Sequence, residues 1–255
     1  MAKDFLTDIL ACPRCKTALK ITSPKSRCPK CRFPYQKKGG IWHFLDLEQK
    51  GKHSHNIYEL MHTDVFARPN DGSYEILAAI ARGNKTVDIA CGDGYLELLN
   101  PQTVGVEFSL NALKKARAHG AKKLVLADAH SLPFRENSFD IAICAGSLEH
   151  FTDVQKAIFE MARVSKIQVI TVHRYPKFPL GKQAFDILSW FFSIRHQPIE
   201  RPLTEKQIQK MCKEAGLRIV FKGVWTFPLN WGRPIKFLPE FKNIPSCLFT
   251  ISIKS

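Results

Sequence analysis

Thr86-Val87-Asp88-Ile89-Ala90-Cys91-Gly92-Asp93-Gly94 is the stretch that decides the fold. Three of its first four residues are β-branched, and it closes in a Gly-x-Gly turn, the pattern of a buried strand feeding a tight loop. Glycine at such a turn lets the backbone approach a bound group closely. The turn is not a phosphate loop, because the Gly-Lys-Ser/Thr ending is missing. Nor is it a Gly-x-Gly-x-x-Gly fingerprint, because position 97 is Glu97.

Working outward, short β-branched runs alternate with helical patterns. After Thr86–Ala90, the strands are Thr103–Glu107, Lys123–Ala127, Phe139–Cys144 and Ile167–Val172. Asp153–Val164 is the clearest helix, with Val154, Ala157, Ile158, Met161 and Ala162 on one face. Ser109 can cap a helix over Leu110–His119 that Gly120 ends, and Ser73 and Gly83 bracket another. Thr204 and Gln207 form a capping box for a helix that Gly216 stops. Two strands follow, Leu217–Gly223 and Cys247–Ile253. The expected fold class is α/β: a Rossmann-like, seven-stranded, mostly parallel sheet with helices on both faces. Such sheets bind ligands at the carboxyl ends of their strands. Three acids sit at successive strand ends there: Asp88, Glu107, which can accept ribose hydroxyls, and Asp128, which can accept from an adenine amino group.

Four stretches carry a resemblance: Asp88-x-Ala90-Cys91-Gly92-Asp93-Gly94, Gly105-Val106-Glu107-x-Ser109, Ala127-Asp128-Ala129-x-x-Leu132-Pro133-Phe134 and Ser138-Phe139-Asp140. Together they resemble the class I S-adenosylmethionine-dependent methyltransferases, most closely the broad group that includes quinone-biosynthesis enzymes. The resemblance implies that Gly92 and Gly94 border the amino-acid part of the cofactor. Ala90, Cys91 and Asp93 complete that turn, and Asp88 organises it. Glu107, with Phe108 beside it, would hold the ribose; Asp128 and Ala129 would flank adenine; Ala145 and Gly146 would also bind the cofactor, with Gly146 and Ser147 lining the reaction side. Two features depart from the family. Asn100-Pro101 cuts short the helix after Gly94, and Ser165-Lys166 replaces the usual Pro-Gly-Gly before the fifth strand.

The sulfonium of such a cofactor makes its methyl group electrophilic, so the enzyme mainly aligns an acceptor and excludes water. A base serves only if the acceptor loses a proton. His150 follows the fourth strand and His173 the fifth, and histidine suits a proton role near neutral pH. A structural or solvated role stands beside the catalytic one for each. Cys144 is not expected to be a nucleophile, because Ile143 rather than proline precedes it, and no Asn-Pro-Pro-Tyr type motif follows the fourth strand.

Upstream, Cys12-Pro13-Arg14-Cys15 and Cys28-Pro29-Lys30-Cys31 are two C-x-x-C pairs separated by twelve residues. Zinc takes four soft ligands in a tetrahedron, and a tight turn lets two thiolates reach one ion. Cys12, Cys15, Cys28 and Cys31 are the expected ligands of a structural Zn2+, with a short hairpin expected at Lys20–Pro24 between the knuckles. The run from Phe5-Leu6-x-x-Ile9-Leu10-Ala11-Cys12-Pro13 to Gly39-Gly40-Ile41 resembles the zinc-ribbon activators of tRNA and translation-factor methyltransferases. In that family the ribbon partners a methyltransferase, here in cis. The expected organisation is a ribbon over 1–50, a linker or pocket helix over 51–71 and the methyltransferase unit over 72–255, with 175–201 as a substrate-side insert.

The chain has 255 residues and a formal charge of +15. Residues 1–55 hold 12 basic and 4 acidic residues, 72–172 hold 11 of each, and 173–255 hold 14 and 5. The basic balance therefore lies on the flanks and points to an anionic partner there. The start, Met1-Ala2-Lys3-Asp4, has no apolar stretch behind it, and no window reaches a membrane span. The expectation is a cytoplasmic protein with reduced thiols. The insert mixes Phe178, Phe185, Leu188, Trp190, Phe191 and Phe192 with Lys177, Lys182 and Arg195. It reads as a packing helix, a lid for an apolar acceptor or a peripheral contact with an anionic membrane, and Trp225, Trp231 and Phe237 extend it. Two acceptors stay open. RNA is one, because a ribbon-first methyltransferase resembles the bacterial rRNA guanine methyltransferases, although those carry histidine where this chain has Cys31. A small, lipid-like or quinone-like molecule is the other. A non-catalytic cofactor-binding regulator is the alternative of another class. The oligomeric state is also left open.

Overall fold

The computed structural model describes residues 5–45, 59, 72–174, 203–226 and 246–255. The strands are β1 (Lys25–Arg27), β2 (Pro34–Lys38), β3 (Ile41–His43), β4 (Thr86–Ile89), β5 (Val104–Glu107), β6 (Leu124–Leu126), β7 (Phe139–Ala145), β8 (Ser165–Arg174), β9 (Leu217–Thr226) and β10 (Ser246–Lys254). The helices are α1 (Phe5–Ile9), α2 (Ser73–Ala81), α3 (Tyr95–Leu99), α4 (Leu110–Ala118), α5 (Val154–Val164) and α6 (Glu205–Glu214). Among the described residues, one ten-stranded sheet runs β1-β2-β3-β6-β5-β4-β7-β8-β10-β9. From β3 to β8 each neighbouring pair is parallel, and β10 lies antiparallel between β8 and β9.

All seven strands expected from the sequence are present, and the alternation along β7 shows why both faces carry helices. Ala142 and Cys144 join a core with Ala157, Ile158 and Met161 of α5 and Ile208 of α6. Ile141 and Ile143 point the other way, toward Leu77 and Ala81 of α2. The local signals set the helix ends. Ser109 accepts from Ala112 N at the start of α4, Asp153 accepts from Lys156 N at the start of α5, and Thr204 and Gln207 close a capping box. As expected, α3 is short, ending at Leu99 before Asn100-Pro101.

Three strands come from the ribbon rather than from the Rossmann-like unit. β3 pairs in parallel with β6 in the register Ile41↔Leu124, Trp42↔Val125 and His43↔Leu126, so the ribbon continues the sheet at its edge. This covers an edge that would otherwise offer unpaired backbone groups. A bridge between Leu10 and Phe134, with Ala11 N donating to Pro133 O at 2.9 Å, fastens it at a second place. Leu6, Leu10, Leu19, Phe33, Tyr35 and Trp42 belong to the same buried cluster as Leu132, Phe134 and Phe139. The hairpin expected at Lys20–Pro24 is not there. β1 and β2 flank the second knuckle instead, because Cys28 N donates to Phe33 O and Arg32 N to Cys28 O across it.

His173 was expected after the fifth strand. β8 runs on to Arg174 because β10 extends the ladder, pairing Cys247 with His173 and Ser246 with Arg174. The insert at 175–201, Trp231 and Phe237 lie outside the described residues, as does 51–71 apart from Glu59. Among the described residues, no helix is long and apolar enough to cross a membrane.

Candidate functional site

The carboxyl end of β4 turns through Ala90, whose φ of 62° is left-handed for a residue other than glycine. Its N–H and that of Cys91 both donate to Val106 O, so β5 holds the turn in place. Gly92 and Gly94 also have positive φ, 53° and 79°. At Gly94 a Cβ would lie 2.7 Å from Ala116 Cβ and 3.2 Å from Ala116 Cα in α4. Glycine is required there both for its backbone angle and for the helix contact. Gly94→Ala is expected to destabilise the fold by about 2–4 kcal/mol, from left-handed strain plus overpacking. A urea unfolding midpoint equal to the wild type would count against this.

Glu107, 8% exposed at the end of β5, is held by three backbone donors. Its Oε2 accepts from Gly92 N at 3.0 Å, and its Oε1 accepts from Phe108 N at 2.6 Å and Ser109 N at 2.9 Å. The carboxylate therefore ties the glycine turn to the start of α4. Glu59 lies beside it, accepting from Leu110 N, Asn111 N and Ser109 Oγ at that helix start.

Two buried acids lie beneath the turn. Asp88 is 2% exposed, and burial followed by the charge of Glu107 raises its pKa to about 8. Glu97 on α3 is 1% exposed, and neither of its carboxyl oxygens has a hydrogen-bond partner. Burial and then the charge of Asp88 push the Glu97 carboxyl well above its usual range. A Cβ at Gly105 would meet Cys91 Sγ at 2.8 Å and Glu97 Oε1 at 2.9 Å, so glycine in β5 makes room for both. In the sequence Glu97 only breaks the glycine fingerprint; its burial depends on packing against β5, which no local pattern encodes.

Asp128 follows β6 and caps a 3₁₀ turn over Ala129–Ser131. Burial opposes its ionisation, but hydrogen bonds from His130 outweigh that and hold its carboxyl below the usual value. Asp88 near the end of β4, Glu107 at the end of β5 and Asp128 just past β6 thus lie on adjacent strands toward the same end of the sheet. On the far side of β4, Ala145 ends β7, and Gly146 N is committed to Thr171 O and Oγ1, both at 2.9 Å. Ser147 leads into a 3₁₀ turn that ends in the half-buried His150. Cys144 is fully buried, and burial pushes its thiol well above the usual value, which agrees with its dismissal as a nucleophile.

The four knuckle cysteines converge. All their Sγ atoms lie within 4.8 Å of one another, with Cys12 to Cys31 at 3.4 Å and Cys15 to Cys28 at 3.5 Å. The other four cysteines, Cys91, Cys144, Cys212 and Cys247, are buried among apolar side chains.

Residues 87–173 match the methyltransferase domain family. Among curated proteins, the chain is similar to an uncharacterised methyltransferase, YcgJ, of Bacillus subtilis. That match is 28% identical over 186 residues, 68% of this chain and 72% of that one. It is 34% identical over 121 residues to a probable tRNA methyltransferase 9B of Homo sapiens, spanning 44% of this chain and 26% of that one. A demethylmenaquinone methyltransferase of Corynebacterium kroppenstedtii is 40% identical over 88 residues, 33% of this chain and 38% of that one. Among solved structures, a SAM-dependent methyltransferase of Thermotoga maritima superposes with a TM-score of 0.55 at 17% identity, covering 81% of this chain and 93% of that one. A Haloferax volcanii complex between a methyltransferase activator, Trm112, and a methyltransferase also superposes, with a TM-score of 0.51 at 17% identity over 71% and 88% of the chains. Residues 87–173 thus carry a methyltransferase domain, and the fold around it is the α/β fold of the superposed SAM-dependent methyltransferases.

Proposed function

We propose that this methyltransferase acts on RNA and that its N-terminal ribbon is the docking surface. The observation that carries the reading is the ribbon's charge. Arg14, Lys20, Lys25, Arg27, Lys30, Arg32, Lys37 and Lys38 are all exposed, and Asp8 is the one acid in residues 5–45. Such a surface neutralises phosphates and positions a nucleic acid without reading its sequence. The catalytic stretch between 72 and 172 is neutral, so this recognition is separate from cofactor binding. The match to the tRNA methyltransferase supports the same reading.

In this reading Zn2+ is held by Cys12, Cys15, Cys28 and Cys31. Their sulfur separations of 3.4 and 3.5 Å are close to the roughly 3.8 Å edge of a tetrahedron with Zn–S bonds of about 2.3 Å. Four protein ligands leave no open position, so the metal is structural. At the cofactor site, Gly92 and Gly94, with Ala90, Cys91 and Asp93, shape the turn around the amino-acid end, and Asp88 supports it from below. Asp128 and Ala129 receive adenine. Glu107 faces the ribose with three of its roughly four acceptor positions already taken by backbone N–H groups. One hydroxyl can join directly, and a second must displace Gly92 N–H. When bound, the cofactor supplies an electrophilic methyl group. The chain's task is then to align the acceptor beside Ala145, Gly146 and Ser147, where His150 can take a proton if the acceptor must lose one.

Incubating the full protein with methyl-labelled cofactor and fractionated cell pools tests the acceptor. Label in a protease-resistant, ribonuclease-sensitive pool is expected. Lys25→Glu with Lys30→Glu is expected to flatten the salt dependence of RNA binding by about two units of logarithmic slope. Label confined to solvent-extractable material would refute the RNA reading and favour a small, lipid-like or quinone-like acceptor, of the kind suggested by the demethylmenaquinone methyltransferase match.

A further inference from the structure

Between β6 and β7 a single imidazole spans two loops of the site. His130 Nδ1 lies 2.5 Å from Asp128 Oδ1, and the same oxygen accepts from His130 N at 2.9 Å. On the other side of the ring, Nε2 is 3.2 Å from Asp153 N and 3.5 Å from Thr152 Oγ1. A backbone N–H can only donate, so Nε2 is an acceptor, and the ring proton sits on Nδ1, facing Asp128. Phe151 packs edge-on against the ring at 5.7 Å between centroids. Asp153 is itself fixed, because its side chain caps α5 through Lys156 N at 2.9 Å.

We infer that His130 is a positioning residue of the cofactor site: it fixes the Asp128 carboxylate so that one oxygen presents to the amino group of the cofactor's adenine. The inference rests on the cofactor reading given above. The burial pattern carries it. The His130 side chain is 15% exposed, whereas that of Asp128 is 43% exposed. The ring is sunk into the protein and the carboxylate looks out of it. Oδ1 receives both bonds from His130, and Oδ2 is left to a ligand. A free aspartate side chain would have to lose its rotational freedom on binding; here the loop has already removed it. The arrangement follows the logic by which a histidine ligand is oriented by its own partner. The chain from Asp128 through His130 to Asp153 also joins the adenine end of the site to the loop that carries His150, so both ends share one anchor.

A role confined to loop stability would affect every ligand alike, which makes the adenine amino group the discriminating probe. Binding of S-adenosylhomocysteine to the full protein is measured by calorimetry, with thermal unfolding as a control for folding. His130→Ala is expected to weaken binding about tenfold. His130→Asn, whose amide can donate to the same oxygen, is expected to stay within about threefold of the wild type. With the 6-oxo analogue S-inosylhomocysteine the three proteins are expected to bind alike. Asp128→Asn combined with His130→Ala is expected to be no weaker than Asp128→Asn alone. If Asp128→Asn weakens binding while His130→Ala does not, the positioning role is wrong and the cofactor reading stands. Equal losses for both ligands would reduce His130 to a structural residue and overturn the inference. If the wild type binds neither ligand, or Asp128→Asn changes nothing, the cofactor reading fails and this inference falls with it.

Discussion

On the zinc reading proposed above, stripping the metal, or replacing Cys28 by serine, is expected to unfold residues 5–45 and loosen the sheet they complete. The ribbon is too short to hold itself together by burial alone. Binding of a structural zinc by four thiolates is worth about 10–16 kcal/mol in small modules, and that free energy is folding free energy. The consequence extends beyond the ribbon because β3 is a strand of the main sheet. Its loss uncovers β6, whose Leu124, Val125 and Leu126 are all buried. It also removes the donation of Phe44 N to Leu126 O and of Arg135 N to Ile9 O. An exposed apolar edge of this kind invites pairing with another chain, so aggregation should accompany metal removal. Hydrogen exchange during titration with a chelator provides the measurement. Amides of 5–45 should lose protection first, those of 124–135 next, and those of β7 and β8 last. A ribbon that stays protected after the metal has been shown to leave would refute the metal's structural role.

What the sequence made legible was whatever a few neighbouring residues decide. Ser109 and the Thr204–Gln207 pair announce helix starts because a cap acts within one turn, and both cap as expected. Glu107 and Asp128 were visible because each directly follows an apolar run. Residues that act across the fold were not. Glu160 reads as one more charge on an amphipathic helix, and Lys16 as one more cation in a basic ribbon. Only the docking of the ribbon brings them together across 144 positions of sequence. His130 is silent for the same reason, since its second partner, the N–H of Asp153, arrives from the next strand's loop. The pairing of β3 with β6 was also hidden: three-residue strands carry too little pattern to declare a partner.

Glu160→Ala is expected to destabilise the protein by about 3–5 kcal/mol, because it strands two cations in a largely buried seam. Glu160 Oε2 accepts from Lys16 Nζ at 2.9 Å, from Leu132 N at 2.7 Å and from Arg163 Nη2 at 2.8 Å, while its Oε1 accepts from Arg163 Nε at 2.7 Å. The side chains of Glu160 and Arg163 are only 12% and 21% exposed. Arg163 spends two further donors on Phe134 O and Leu132 O, so it cannot turn to solvent without breaking the same loop. Lys16 is more accessible, at 36%, and its share of the loss is correspondingly smaller. Burial raises the carboxyl pKa of Glu160, but hydrogen bonds from Arg163 and Lys16 more than offset this, and it lies below the usual value. At Lys16 the balance runs the other way, burial outweighing the carboxylate and lowering its pKa. The acid limb therefore belongs to Glu160. A carboxyl whose pKa is depressed by folding contributes stability that is complete above its unfolded value and is lost as pH falls through the folded one. Urea unfolding at steps from pH 6 down to pH 3 should show the wild type weakening, and Glu160→Gln starting lower and weakening less. The seam also carries Ser131, whose hydroxyl donates to Pro13 O at 2.6 Å, three residues past Asp128. Loosening it should therefore weaken cofactor binding as well as the fold. A Glu160→Ala protein within about 1 kcal/mol of the wild type, with the same acid limb, would mean that the apolar contacts alone hold the ribbon against the catalytic unit.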